Sequence, residues 1–448
     1  MKNNQCCCPK KAHGNRIISA LAISSLLFVV SGCDSTIRNK SAAAVTETIP
    51  HNQPNINNQA PPIEVKVLTS TPEGIAEVVT ANNQFAIDIY QQINGQPQQV
   101  DKNVFFSPYS LSTAMAMLYA AAKGETKAQI QKTFHYPTPA ILNPNSAALY
   151  NQFNKSNPDY KLATVNDLWM QQGLTPTKSY IDTVQRYYSG QVTALDFEGS
   201  PDSARQTINK KIVEKTKQMI PELLPKGSIK SDTAVVLTNA VYFKGDWTLP
   251  FTAERTSAQP FYNAIGRAST VQMMQQQSYF SYYEDKHIQV VQLPYKGDDL
   301  SMLVVLPKFN HKLAMQQLTK SLSATKIKQW RSGLVRQEVD LQLPKFKLDA
   351  RYQMKTLLAD MGMPKAFNNG AEFNLYADGT PIKLDEVYHQ AVVTVDEKGT
   401  EAAAAAGAVG MYVGMSYPVE FKADHPFMFM IKDNKTDAIL FLGQVNKP

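Results

Sequence analysis

The sequence predicts an α+β domain, helices first and strands after. Apolar residues recur at helical spacing up to about residue 219, near-continuous or alternating apolar runs dominate beyond it, and no linker or repeat divides 76–448. The first helix is expected in TANNQFAIDIYQQI, where Phe85, Ala86, Ile89, Tyr90 and Ile93 share a face. Ser107 and Pro108 then supply an N-cap and a first-turn proline for a second helix, which turns Leu111, Met115, Leu118 and Ala122 inward and stops at Gly124. Ile208, Ile212 and Met219 mark a further helix, closed before Pro221.

The strands begin with TAVVLTNAVYF (233–243), apolar almost throughout, as suits a central strand covered on both faces. Val339, Leu341 and Leu343 alternate with Asp340 and Gln342, the pattern of a half-buried strand. Further strands are expected at 288–295, 300–306, 388–397, 417–422, 427–432 and 438–445. One helix interrupts them at about 350–361, with Met354, Leu357, Leu358 and Met361 on one side and Gly362 as its C-cap.

Residues 399–416, GTEAAAAAGAVGMYVGMS, stand apart. They hold no proline, no bulky residue before Met411 and one charge, Glu401. Alone they would read as a local helix or a linker. An apolar, nearly uncharged linker is an aggregation hazard, and a buried helix needs larger residues on one face. Small residues throughout suit a segment that is exposed in one state and slides into a sheet in another.

The first 75 residues are set aside from the fold. Lys10, Lys11 and Arg16 precede the uncharged run Ile17 to Val30, which is short for a bilayer span. Val30-Ser31-Gly32-Cys33 resembles the bacterial lipobox, which implies a signal peptide over 1–32 and a lipidated Cys33 as membrane anchor, with palmitate among the acyl groups expected there. Asp34 resembles an inner-membrane retention signal, which leans the localisation towards the periplasmic face of that membrane; the outer membrane and the cell surface stay open. Residues 33–75, rich in Asn, Gln, Ala and Pro, read as a flexible tether. Of the four cysteines, Cys6, Cys7 and Cys8 lie in the leader, so no disulfide is expected within the domain. The formal charge of +7 owes four cations to the leader, and the near-neutral remainder gives no reason to invoke nucleic acid.

Val395-Asp396-Glu397-Lys398-Gly399-Thr400-Glu401-Ala402 and, downstream, FKADHPFMFMI (421–431) resemble segments of the serpin family of serine protease inhibitors: the first its hinge, the second the strands that receive the far end of its reactive loop. The likeness extends over almost all of 80–448. NVFFSPYSLSTAMAMLYAAAKGET (103–126), LTNAVYFKGDWTLPF (237–251) and LPYKGDDLSMLVVLP (293–307) match further segments, in family order. The resemblance implies a large central mixed β-sheet with further sheets, about eight or nine helices and an exposed reactive-centre loop at about 398–418. It also implies an inhibitor rather than an enzyme. A protease cleaves the loop, is caught as an acyl-enzyme, and is displaced when the loop enters the main sheet as a new strand, here between 233–243 and 388–397.

On that resemblance Gly399 is the hinge, within the stretch Glu397, Gly399, Thr400, Glu401, Ala402, Ala403, Ala404, Ala405 and Ala406. Thr400, Ala402, Ala404, Ala406 and Ala408 share the face that would pass under the sheet. Ser107, Ser110, Asn239 and His389 match a polar cluster where the sheet parts, and Trp247 a tryptophan near the insertion entry. Counting forward from Glu397 puts the reactive bond at Val413-Gly414. Counting back from Phe427 gives Met415-Ser416, and Tyr412-Val413 is a third choice. All present an uncharged side chain, which fits elastase-, subtilisin- or chymotrypsin-like targets better than trypsin-like ones.

Other classes find little support. No GxSxG, HExxH or phosphate loop is present, the seven histidines lack metal-ligand spacing, and no cofactor is expected. LNPNSAALYNQFNKSN lacks the clustered Lys and Arg that a polyanion cofactor would need. A monomer is expected. The competing reading is a non-inhibitory member of the same fold, acting as a binding or chaperone-like protein.

Overall fold

The computed structural model describes residues 69–448 except 100, 156, 312 and 401–416. Among the described residues are nine α-helices: α1 Pro72–Asn94, α2 Pro108–Ala121, α3 Gly124–Phe134, α4 Pro139–Phe153, α5 Lys178–Tyr188, α6 Pro201–Lys215, α7 Ala314–Ser321, α8 Ala324–Ser332 and α9 Lys355–Asp360. A six-stranded sheet contains β2 Tyr160–Gln171, β3 Gln191–Leu195, β4 Val235–Asp246, β10 Phe346–Gln353, β11 Glu386–Val395 and the short β12 Gly399–Thr400. The second, nine-stranded sheet takes β1 Val104–Phe106, β5 Ser257–Tyr262, β6 Ala268–Glu284, β7 Ile288–Pro294, β8 Leu300–Pro307, β9 Val335–Pro344, β13 Val419–Lys422, β14 Phe427–Asp433 and β15 Ile439–Val445.

The expected α+β class holds, with helices gathered towards the start of the chain. Helix α2 explains how the two sheets share a core. Ser107 caps it by accepting from the Ser110 N–H at 3.1 Å, Pro108 occupies its first turn, and all its residues but Ala120 are buried. It packs against β2 and β4 of one sheet and β15 of the other. Strand β4 is the apolar run expected at 233–243, extended to Asp246, and it forms the middle of its sheet with β2 antiparallel on one side and β11 parallel on the other. The order β10-β11-β4-β2-β3 makes β10 one edge and β3 the other.

Four local expectations need correction. The first helix starts at Pro72, capped by the Thr71 hydroxyl, inside the stretch assigned to the tether. Gly124 does not close α2, which ends at Ala121; with φ +50° it opens α3, and a Cβ there would fall 2.4 Å from the Glu372 carboxylate. The helix through Ile208 and Ile212 ends at Lys215, so Met219 lies beyond it, after Lys217 and Gln218 at positive φ. The helix expected at 350–361 is confined to Lys355–Asp360, because Ala350 to Gln353 belong to β10 and pair with β11.

Candidate functional site

The site lies along the β4–β11 seam. Parallel pairing runs from Glu386–Val236 to Val392–Tyr242, with His389 opposite Asn239. Past Val395 the chain reverses: Glu397 and Lys398 form a two-residue turn, and Asp396 and Gly399 exchange both backbone hydrogen bonds, at 2.9 and 3.3 Å. Gly399 and Thr400 then run antiparallel to β4, opposite Asp246 and Gly245. Two residues of a strand therefore already stand at the end of the seam, flanked by Asp396 on one side and β4 on the other.

Several groups hold that turn. The Phe251 N–H donates to the Glu397 carbonyl at 2.7 Å, the Trp247 N–H to the Lys398 carbonyl at 2.9 Å, and the Trp247 indole N–H to the Asp396 carbonyl at 3.1 Å. The Glu397 carboxylate pairs with Lys345 at 2.8 Å and accepts from the Thr256 hydroxyl at 2.9 Å. Burial pushes that carboxyl up, but Lys345, a backbone N–H and Thr256 outweigh it and hold the pKa below the ordinary glutamate value. Gly399 has φ +150°, and a Cβ would sit 2.2 Å from the Gly245 carbonyl oxygen, so only glycine lets the chain approach β4 here. Thr400 is fully buried, and its hydroxyl lies 3.1 Å from that of Tyr295, on whose ring Trp247 stacks at 4.6 Å. Burial raises the Tyr295 hydroxyl pKa far above its ordinary value, keeping it protonated.

A second group of polar residues lies further down the same seam. The Ser107 N–H donates to His389 Nε2 at 3.1 Å, and the Ser107 hydroxyl donates to the Leu440 carbonyl at 2.7 Å. Because a backbone N–H can only donate, Nε2 must accept, so the ring is neutral with its proton on Nδ1, donated to Asn239 Oδ1. The Asn239 amide nitrogen in turn donates to Ser110 Oγ at 2.6 Å and to Asn166 Oδ1. Full burial drops the His389 pKa to about 3, consistent with a neutral ring. The set ties β2, β4, β11 and α2 together, and parting β4 from β11 must break the His389–Asn239 bond.

Ser107, Ser110, Asn239 and His389, assigned to one cluster on the resemblance, lie within one hydrogen-bonded set in the structure. Trp247 does not join them: it stands at the far end of β4, beside the hinge. The structure adds Asn166, Tyr295, Thr256 and Lys345. Asn166 lies in LATVNDLWM, where Thr164, Asn166 and Asp167 interrupt a largely apolar strand-like run, a signal available in the sequence. Glu401, Ala402 to Ala406, Ala408, Tyr412, Val413, Gly414, Met415, Ser416 and Cys33 lie outside the described residues.

The site is therefore a mixed sheet with a parallel β4–β11 seam, at whose end Gly399 and Thr400 pair with β4. A family model described as Serpin (serine protease inhibitor) matches residues 80–448, and the chain belongs to that family. An uncharacterized serpin-like protein of Methanosarcina mazei is 40% identical, aligned over 83% of this chain and 88% of its own. The leukocyte elastase inhibitor of Xenopus laevis is 38% identical over 82% of this chain and 99% of its own. Among solved structures, uncleaved ovalbumin matches with a TM-score of 0.75 at 28% identity, covering 84% of this chain and 99% of ovalbumin.

Proposed function

We propose that the chain is an inhibitory serpin: a single-use trap for serine proteases with elastase-, subtilisin- or chymotrypsin-like specificity. The observation that carries this reading is the antiparallel pairing of Gly399 and Thr400 with β4, the first rungs of a strand between β4 and β11. The following residues, Glu401 to Gly410, are small apart from Glu401 and Val409, and can continue that strand without prising the sheet apart.

In the proposed reaction the protease serine oxygen attacks a loop carbonyl, with Val413-Gly414 the preferred bond. The peptide C–N bond breaks, the new amine leaves with the C-terminal segment, and an ester joins the protease to the loop. Insertion then pairs on the order of ten backbone groups, each worth roughly 1 kcal/mol net. The protease is pulled along before water can hydrolyse the ester. The native form is held by a kinetic barrier rather than by being the lowest state.

The test mixes the domain from residue 69 with pancreatic elastase, subtilisin, chymotrypsin and trypsin. A band at the summed mass that survives denaturing electrophoresis supports the trap, and mass spectrometry of the released peptide identifies the bond. Loop cleavage without that band, by all four, supports the non-inhibitory binding reading instead.

The leader belongs to the same proposal. Cleavage before Cys33 and acylation of its thiol would hold the domain at a membrane surface through the tether. Metabolic labelling with an alkyne palmitate, comparing wild type with Cys33→Ser, tests it: label retained by the variant counts against lipidation there.

A further inference from the structure

Strand β3 pairs with β2 only from Asp167 to Gln171, so among the described residues Tyr160–Asn166 have no strand neighbour on that side. A cavity of about 220 Å³ lies at this open edge. Its lining is mostly polar: Tyr150 of α4, Thr164 and Asn166 of β2, Tyr188 at the end of α5, Ser189 after it, and Lys215 at the end of α6.

Two features give the cavity a chemical preference. The first is charge. Asp167 is fully buried and meets two ammonium groups, Lys215 at 3.1 Å and Lys211 at 3.7 Å. One carboxylate against two cations leaves a net positive charge beside the cavity. Burial and the nearby Lys215 pull the Lys211 pKa below the usual lysine value, although Asp167 opposes them.

The second is a pair of unused polar atoms. Thr164 Oγ1 and Asn166 Nδ2 are buried without a hydrogen-bond partner in the protein. The orientation of Asn166 follows from a chain of necessities. The Ser107 N–H makes His389 Nε2 an acceptor, so Nδ1 donates to Asn239 Oδ1. The Asn239 amide nitrogen must then face Asn166, which turns its own oxygen towards Asn239 and leaves its NH₂ unused.

We propose that this cavity binds a small oxyanion of the phosphate or sulfate class, held by the Lys215 ammonium, the Thr164 hydroxyl and the Asn166 amide. An anion accepting from Asn166 Nδ2 reinforces the orientation in which Asn166 Oδ1 accepts from Asn239. It therefore stabilises the closed β2–β4–β11 arrangement, and by linkage the native fold gains stability when the anion is present. The site does not depend on whether the chain traps a protease.

The test is calorimetric titration of the full chain with inorganic phosphate and with sulfate over a constant chloride background, alongside thermal unfolding in the same solutions. Additions of about 1–10 mM keep generic salting effects small. The expected result is saturable binding at one equivalent with a rise in Tm, both weakened at least tenfold in midpoint concentration by Thr164→Val and by Lys215→Gln, and unchanged in Lys210→Gln, which removes an exposed lysine from the same helix. Thr164→Val keeps the shape of the side chain, so it serves if Lys215→Gln fails to fold. Absence of saturable binding by either anion overturns the proposal. So does binding that survives Thr164→Val undiminished, or that Lys210→Gln removes equally.

Discussion

The Tyr295 and Thr400 hydroxyls lie 3.1 Å apart with both residues fully buried, which fastens the first inward-facing residue of the hinge to the end of β7 and its following turn. Each hydroxyl has the other as partner, so removing one leaves the other buried and unused. Tyr295→Phe and Thr400→Val should each destabilise the native form by about 1–3 kcal/mol. The double variant should lose less than the sum, with a coupling of about 1 kcal/mol. Urea unfolding of the four proteins measures it; strict additivity would mean that the bond contributes nothing of its own.

Gly399 is the tightest point of the hinge. A Cβ placed 2.2 Å from the Gly245 carbonyl cannot be absorbed by a side-chain movement, because the obstacle is backbone. Gly399→Ala is expected to release Gly399 and Thr400 from β4. Hydrogen exchange at residues 399 and 400 should rise by orders of magnitude, while exchange within β2 stays as in wild type. Unchanged protection at Thr400 would mean that the hinge is held from elsewhere.

The pairing of Gly399 with Asp246 and Thr400 with Gly245 sets the register of anything that continues β12. Extending it places Ala402 opposite Phe243, Ala404 opposite Val241, Ala406 opposite Asn239 and Ala408 opposite Leu237, all on the face turned to the core. On the proposed function, Ala406→Arg should leave the native protein as stable as wild type but stop insertion at the Asn239 cluster. The expected outcome is rapid loop cleavage, at least a tenfold fall in covalent complex, and no gain in heat stability on cleavage. Wild-type complex yield from this variant would show that the register shifts.

The neutral His389 sets a pH dependence. The unfolded imidazole protonates near about 6.5, whereas the folded one resists until about 3. Between these values the unfolded chain binds the extra proton, so native stability falls as the solution is acidified, by up to about 1.4 kcal/mol per pH unit from this group. Urea midpoints from pH 7 to pH 5 should fall more steeply for wild type than for His389→Asn. Parallel profiles would place the titrating group elsewhere.

The start of α2 and the central strand were legible because short-range signals and their environment agree, whereas the hinge and the polar cluster were read through the family resemblance alone. Ser107 and Pro108 announce a helix start and deliver one, and the apolar run through Asn239 is the central strand its composition promises. Other parts were not. Met354, Leu357, Leu358 and Met361 are periodic enough to suggest a long helix, but β11 offers Ala350 to Gln353 a strand partner that the local pattern cannot reveal. Strand β6 carries Gln275, Gln276 and Gln277 where an apolar alternation would have betrayed it, and its long pairing with β9 does the specifying instead. Tyr295 and Lys345 become hinge contacts only through tertiary packing, since each lies far in sequence from the residues it meets.

The parallel pairing of β4 with β11 has one more consequence. A strand entering antiparallel to both neighbours exchanges seven parallel partnerships for two antiparallel ladders, the better-bonded geometry on each side. On the proposed function the chain carries the means of that exchange within itself, with Gly399 and Thr400, already paired to β4, as its first rungs. Such a molecule would, on that reading, behave like a fuse rather than a valve: its capacity would be counted in copies, each with one vacancy in its sheet, and a copy whose vacancy had been filled from its own sequence would have no reserve for a second event.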